Sequence, residues 1–427
     1  MKNNEEIEAY FKRLWPLNRS LTGNGNRKTL EILQELADIQ IHETPSGTPC
    51  FDWEVPPEWN VKEAWICNAS GDKIVDFKDN NLHLLGYSIP FQGVLSYEEV
   101  KEHVYTKPSQ PDVIPYLTSY YAERWGFCMS HNQFLSLSQT EKYTVHIDST
   151  LNPKGHMTWG EAVLPGTSNK EIFFSTYICH PSMANDVLSG MLGQALLYNA
   201  LKNSGPHHFT YRFIWIPETI GSIFYLSKYG DILTQKMLAG FVLTCMADRG
   251  KITWKMSRKD AYTDRIIQRV FKQQNIDYIQ ENFFPGGSDE RQYCSPAFDL
   301  PVSLIMRSRY EKFAAYHTSA DTLDYISIPH FVEVLELYLA IVREMEREPV
   351  YGSNNPACEP KLGKRGLYPT LGAQEKYPDY IDAMMWILNL ADGTYDAPAM
   401  ADKSGMDLEL IKNIIQNLLK ENLIYRM

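Results

Sequence analysis

Between residues 159 and 346, an apolar run of strand length is followed by a stretch of helical periodicity four times over. The pairs are EIFFSTYICH with 187–203, YRFIWIPE with 221–236, FVLTCMAD with 263–274 and PVSLIMRS with 328–346, and WGEAVLPG supplies a further strand ahead of them. Alternation of this kind predicts an α/β fold, a three-layer α/β/α sandwich around a mixed, mainly parallel sheet. Open sheets of this class bind ligands outside the carboxyl ends of their strands. Function is therefore to be sought in the residues that directly follow each strand.

The rest of the chain is added to this body. Residues 5–15 and 26–37 carry apolar residues at helical spacing, joined by LNRSLTGNGN, a loop built from turn residues. From 46 to 144 the texture changes to short alternating strands broken by Pro, Gly and Asn, an all-β block of roughly a hundred residues. The body is thus expected to be discontinuous, 1–45 and 145–350, with the β-rich domain 46–144 inserted into it. Residues 351–374 read as a linker, and 375–427 carry three short helical patterns with the texture of a winged helix-turn-helix.

A formal net charge of -11 argues against a general nucleic-acid surface. The would-be recognition helix offers only Lys412 and Lys420 against Asp407, Glu409 and Glu421, a poor set for phosphate, so docking or homo-oligomerisation is the better expectation for the tail. No apolar run approaches the roughly 20 residues of a spanning helix. The N-terminal MKNNEEIEAYFKRLW is acidic and amphipathic, with no apolar core of a signal peptide. A cytoplasmic protein without a membrane role is expected. The seven cysteines are scattered and never in C-x-x-C pairs, against both a disulfide framework and a zinc knuckle. Most, Cys179 included, read as small buried hydrophobes.

The strand ends carry a consistent chemistry. EIFFSTYIC ends at His180, with Asp186 six residues on; YRFIWIP ends at Glu218; FVLTCMA ends at Asp248; and His317 follows PVSLIMR in the loop YEKFAAYHTSADT. Imidazole and carboxylate ligands converging on one rim suit Zn²⁺. Each residue alone has an ordinary job: a satisfied polar strand end for His180, a helix N-cap for Asp186, a dipole partner for Glu218, a turn residue for Asp248, and a helix-leading loop for His317. Five such coincidences on one edge, in a chain with 11 histidines, favour a shared site.

These residues carry a family likeness. The opening NRSLTGNGNRKTLEIL, the strand pair WGEAVLPGTSNKEIFFSTYICHP, the motif ANDVLSGMLGQALL, and the closing GGSDERQY, LPVSLIMR and YHTSADT resemble the zinc aminopeptidase and glutaminyl-cyclase family of metallo-exopeptidases, peptidase clan MH. The order of β-insert, peptidase-like body and winged-helix tail is also similar to bacterial aminopeptidase-like proteins of unknown function, often associated with polysaccharide biosynthesis loci. The resemblance implies one or two Zn²⁺ ions, with His180 on the first, Asp186 bridging, Asp248 completing the first and His317 helping to hold the second. It implies removal of an N-terminal residue, or cleavage of a related amide, from a peptide or an aminated small molecule.

The chain departs from that family in two places. The gap between His180 and Asp186 is short, which demands a tight loop. The family's paired glutamates stand here as IPETIG: ungapped, Glu218 takes the general-base position and Thr219 replaces a ligand, whereas a gapped alignment makes Glu218 the ligand. With the first alignment, one zinc still suffices to polarise a carbonyl and acidify its water. Asp321 is expected to orient a ligand, and Arg307, Arg309 and Tyr316 to flank the pocket and bind an acidic substrate group. Two rival readings remain: a non-catalytic metal-containing scaffold, and a deacylase or cyclase of the same fold acting in polysaccharide biosynthesis. Trp53, Trp59 and Trp125 of the insert fit either core or a carbohydrate platform.

Overall fold

The structure, a computed structural model, describes residues 2–259, 261–367 and 378–427. Its central sheet has eight strands in the order Gln40–Pro45, His156–Leu164, Thr210–Ile216, Glu171–Tyr177, Met237–Val242, Val302–Met306, Ile252–Lys255 and Tyr278–Glu281. The middle four run parallel. His156–Leu164 and Ile252–Lys255 pack antiparallel on either side of them, so the sheet is mixed, as expected. Glu171–Tyr177 is buried along its whole length, which is why EIFFSTY reads as a continuous apolar run instead of an alternating one. Phe173 and Phe174 are fully buried in it, each contributing about 2–3 kcal/mol of burial.

The sheet holds three strands beyond the five read from sequence. Gln40–Pro45 and Tyr278–Glu281 are edge strands with largely exposed, polar sequences, QIHETP and YIQE. An edge strand needs no apolar face on both sides, so it leaves little hydrophobic signal. Ile252–Lys255 is buried but four residues long, too short to show a period.

The insert is organised around a four-stranded sheet of Lys73–Asp76, Glu58–Cys67, Lys142–Asn152 and Phe91–Ser96. Its last strand runs past the expected boundary at 144, and short helices at Tyr97–Lys101 and His131–Leu135 interrupt the β texture. Trp59 and Trp125 are core: Trp59 Nε1 donates to the Ser88 carbonyl, and Trp125 lies between Phe91 and His103. Trp53 stays exposed beside Tyr121.

The tail folds as helices Pro378–Leu390, Ala397–Ser404 and Leu408–Lys420 with a three-stranded sheet. The central strand of that sheet is Val350–Ser353, so the expected linker begins inside the tail's own sheet. Residues 368–374 of the expected linker, and 375–377 at the start of the expected tail, lie outside the described residues. No helix among the described residues is long and apolar enough to cross a membrane.

Candidate metal centre

Parallel register brings the carboxyl ends of Glu171–Tyr177 and Thr210–Ile216 level, with Tyr177 opposite Ile216. The Ile178 N–H continues the ladder to the Ile216 carbonyl, and the Glu218 N–H donates to Cys179 Sγ at 3.2 Å. His180 and Glu218 therefore leave the sheet side by side, with His180 Nε2 3.6 Å from Glu218 Oε2. His180 is buried, and the Arg19 side chain from the opening loop donates to its carbonyl at 2.8 Å.

The tight loop to Asp186 is made by Ser182, whose φ of 43° is in the left-handed region. Ser182 Oγ donates to the Trp15 carbonyl at 3.0 Å and accepts from Asn81 Nδ2 at 2.8 Å, so the opening helix and the insert both pin it. The chain then winds through one π-helical turn, Ala184–Leu188, before the regular helix Ser189–Lys202 begins. Wide turns of this type recur at functional sites because they re-aim one side chain. Asp321 holds this one open: its two oxygens accept the N–H groups of Asn185 at 2.7 Å and Asp186 at 3.0 Å. Asp321 thus orients Asp186 through the backbone.

His317 has φ 51° and is fixed from outside the sheet. Its carbonyl accepts the Tyr116 N–H at 2.9 Å, while Ser319 N–H donates to the Ile114 carbonyl at 2.8 Å. Its ring stacks on Tyr316 at 3.9 Å and meets Tyr116 edge-on at 5.1 Å. Tyr116 is also 5.1 Å from the His180 ring. The insert thereby builds one wall of the site, with the Tyr116 and Tyr120 hydroxyls 3.3 Å apart in it.

His180, Asp186 and His317 each offer a ligand atom, and the three atoms lie within 4.8 Å of one another. Asp186 Oδ2 and His317 Nε2 are 3.1 Å apart, close to the about 3.3 Å between neighbouring donors on a tetrahedral Zn²⁺ with bonds of about 2.0–2.1 Å. Both atoms are buried, and outside this contact neither has a hydrogen-bond partner. Two buried ligand atoms with no partner outside their own contact, and a third within 4.8 Å, fit a metal. Burial pushes the His180 imidazole down to about 3, keeping it neutral and able to ligate. Burial works against the Asp186 charge, but His317 and His180 outweigh it and hold that carboxyl below its ordinary value. Glu218 differs: burial, then the charges of Asp289 and Asp186, raise its carboxyl well above the usual range.

Asp248 does not join this group. The strand Met237–Val242 stops six residues before it, and both carboxylate oxygens are taken, Oδ2 by Asn185 Nδ2 at 2.8 Å and Oδ1 by Ser308 Oγ at 2.9 Å and Gly250 N–H at 2.5 Å. Cys245 stands nearer, with Sγ 3.7 Å from Asp186 Oδ1. Cys179, Sγ 3.3 Å from His180 Nδ1, forms a second possible ligand group with His180 and Glu218. The flanking arginines are engaged elsewhere: Arg307 pairs with Glu333 and donates to the Gly250 carbonyl, and Arg309 pairs with Glu281 and lies over Phe284. Tyr316 is at the site through its stack on His317. Tyr116, Asn185 and Arg291 are the residues at the site that strand-end reasoning passes over.

A family model described as a domain of unknown function (DUF4910) matches residues 8–348, and a winged helix-turn-helix model matches residues 349–426. The chain belongs to the DUF4910 family. This DUF4910 chain is 42% identical over 98% of its length, and 96% of the relative's, to a Clostridium acetobutylicum protein named "Putative polysaccharide biosynthesis protein with aminopeptidase-like domain". A crystal structure of a "putative peptidase" from Clostridium acetobutylicum superposes on it with a TM-score of 0.80 at 40% identity, covering 99% of this chain and 96% of the other. BSAP, a zinc aminopeptidase from Bacillus subtilis, matches with a TM-score of 0.58 at 14% identity, covering 80% of this chain and 95% of the other. The α/β body of this DUF4910 chain thus has the aminopeptidase fold.

Proposed function

We propose that the chain is a metal-dependent hydrolase that cleaves an N-terminal peptide bond or a related amide, with Glu218 moving the proton. The observation that carries this reading is the pair of buried atoms Asp186 Oδ2 and His317 Nε2, 3.1 Å apart beside His180 and with no hydrogen-bond partner outside the pair. A Zn²⁺ held by His180, Asp186 and His317 would polarise the scissile carbonyl and lower the pKa of a bound water to about 7. The protein supplies the rest. His180 and His317 are oriented before any ligand arrives, by the Arg19 bond and by the Tyr116 and Tyr316 contacts. Glu218 is anchored by its N–H to Cys179 Sγ and keeps 22% of its side chain exposed. Its raised affinity for a proton suits a group that takes one from the attacking water at Oε2 and passes it to the leaving amine.

Thr219 offers no carboxylate, and its hydroxyl accepts Arg291 Nη2 at 2.6 Å, so this reading uses one metal. The aminopeptidase fold and the relatives' names support the reaction class. Elemental analysis of the purified protein, with an aminoacyl-chromophore hydrolysis screen, tests it. We expect one zinc per chain in the wild type, none in His317→Ala, and full metal but at least about 10²-fold lower turnover in Glu218→Gln. Wild-type turnover in Glu218→Gln would remove that residue from the mechanism.

A further inference from the structure

Arg291 lies in GGSDERQY, a segment with an unusual density of buried charge. Ser288, Asp289 and Glu290 are all buried, and each keeps one side-chain oxygen without a partner. Asp289 Oδ1 is spent on the Thr219 N–H at 2.7 Å and Ser222 Oγ at 2.9 Å, and Glu290 on Lys255 at 2.5 Å. Neither pairs with Arg291. The guanidinium instead donates to two neutral oxygens, the Gly287 carbonyl through Nη1 and Thr219 Oγ1 through Nη2 at 2.6 Å. Among the described residues it forms no ion pair.

Those two bonds fix the plane of the guanidinium. Thr219 follows Glu218 directly, so the cation is held one residue from the proposed proton carrier, at a half-buried position. Two of its five N–H donors are used, and three remain for a ligand. A planar, pre-oriented guanidinium with spare donors recognises a carboxylate or phosphate through two parallel bonds. Thr219 gives this arrangement a purpose: a hydroxyl positions the guanidinium without pairing with its charge, which the Glu218 and Asp289 carboxyls feel without direct contact.

We infer that Arg291 binds an oxyanionic group of the substrate, a carboxylate or a phosphate, beside the amide that Glu218 serves. This rests on the proposed hydrolase reading, and the substrate is then an acidic amide and not a neutral peptide end. Arg291 takes the part that sequence reasoning gave to Arg307 and Arg309.

The test separates the inference from the reading beneath it. Succinate, its neutral analogue succinamide, and inorganic phosphate are titrated calorimetrically into the protein as purified, for wild type, Arg291→Ala and Arg291→Lys, with thermal unfolding as the check on folding. Saturable binding of succinate or phosphate but not succinamide, weakened at least ten-fold in Arg291→Ala and partly kept in Arg291→Lys, is expected. Whichever anion binds more tightly names the source. Aspartyl and leucyl p-nitroanilides are compared in parallel, with an acidic preference in wild type that Arg291→Ala loses through KM. No saturable anion binding, or equal anion binding in Arg291→Ala, would overturn the inference. A variant that shifts only the pH profile, leaving anion discrimination intact, would overturn it too, since Arg291 would then merely tune Glu218. Arg291-dependent anion binding without turnover of any amide would keep the inference and retire the hydrolase reading.

Discussion

Asn185, one position before Asp186, ties the π-helical turn to the segment that follows strand Met237–Val242. Its Nδ2 donates to Asp248, its Oδ1 accepts the N–H groups of Ala247 at 2.8 Å and Asp248 at 3.0 Å, and the whole residue is buried. Asn185→Leu strands two backbone donors, at about 1–3 kcal/mol for each group left unpaired, while Asp248 Oδ2 keeps the Ser308 N–H at 3.2 Å. We expect a loss of about 2–5 kcal/mol in urea unfolding, and a loss below about 1 kcal/mol would mean that water replaces the amide. Lys255 and Glu290 are a second such case, a fully buried pair in which Tyr310 donates to the same carboxylate. Lys255→Met alone leaves an unpaired buried charge and should cost about 3–5 kcal/mol, while adding Glu290→Leu should recover most of it. A double variant no more stable than the single would contradict that balance. At this scale the sequence exposes what sits at a strand end: His180, Glu218 and, on its neighbouring loop, Asp186. It hides what arrives from far along the chain. FVLTCMAD reads as strand to its end and so puts Asp248 at the rim, whereas the backbone leaves the sheet at Val242 and Cys245 turns through φ 51°. Tyr116 reaches His317 across two hundred residues, a contact no local period encodes.

Elements are positioned by close approaches that the sequence marks with small or charged residues. Gly190, in the first turn of Ser189–Lys202, lies so near the end of strand Met237–Val242 that a Cβ there would stand 2.1 Å from the Leu243 carbonyl oxygen. Backbone cannot yield as a side chain can. Gly190→Ala should therefore push the helix off the sheet at a cost of about 1–3 kcal/mol and weaken zinc binding through Asp186, readable as a lower Tm and a raised metal Kd. A normal Tm would mean that the helix has slack. The opening helices are tied to the insert by Arg27, which grips Glu58 through bonds of 2.7 and 2.9 Å and also reaches Glu43. The Arg27 bonds, against burial, hold the Glu58 carboxyl at about 2. A depressed carboxyl stabilises the fold above its ordinary value and stops doing so as pH falls through its folded value. Wild type should thus exceed Glu58→Gln in stability at pH 7 by up to about 3 kcal/mol, the gap closing between about pH 4.5 and 2. A gap independent of pH would assign the effect to packing. The long central elements were legible because burial on two faces writes a continuous apolar run, while the edge strands, facing water, write nothing comparable.

At the scale of the whole molecule the tail is bolted to the body, not merely strung behind it. Arg269 of helix Tyr262–Gln273 grips Asp396 with two bonds of 2.8 Å and also meets Glu344 of helix Ile328–Arg347. Asp396 in turn caps helix Ala397–Ser404 through the Ala399 N–H at 2.9 Å. The strand Val350–Ser353 lies between Asp392–Asp396 and Ile424–Arg426, so its two partners both come from beyond residue 390. Residues 351–374 read as a linker because they are rich in turn residues, although their first three, Tyr351, Gly352 and Ser353, belong to the strand Val350–Ser353. Removing 375–427 therefore does more than shed a module. It bares both sides of Val350–Ser353 and takes Asp396 from a mostly buried Arg269. The truncated chain should unfold at a Tm several degrees lower than the full chain. Arg269→Met in the truncated background should restore part of the difference, because it removes a cation that has lost one of its two carboxylates. If the truncated chain keeps the full-length Tm by calorimetry, the tail is an independent module and the Arg269 grip contributes nothing. If the tail is instead integral, a single transition should cover body and tail in the full chain and Arg269→Ala should split it in two.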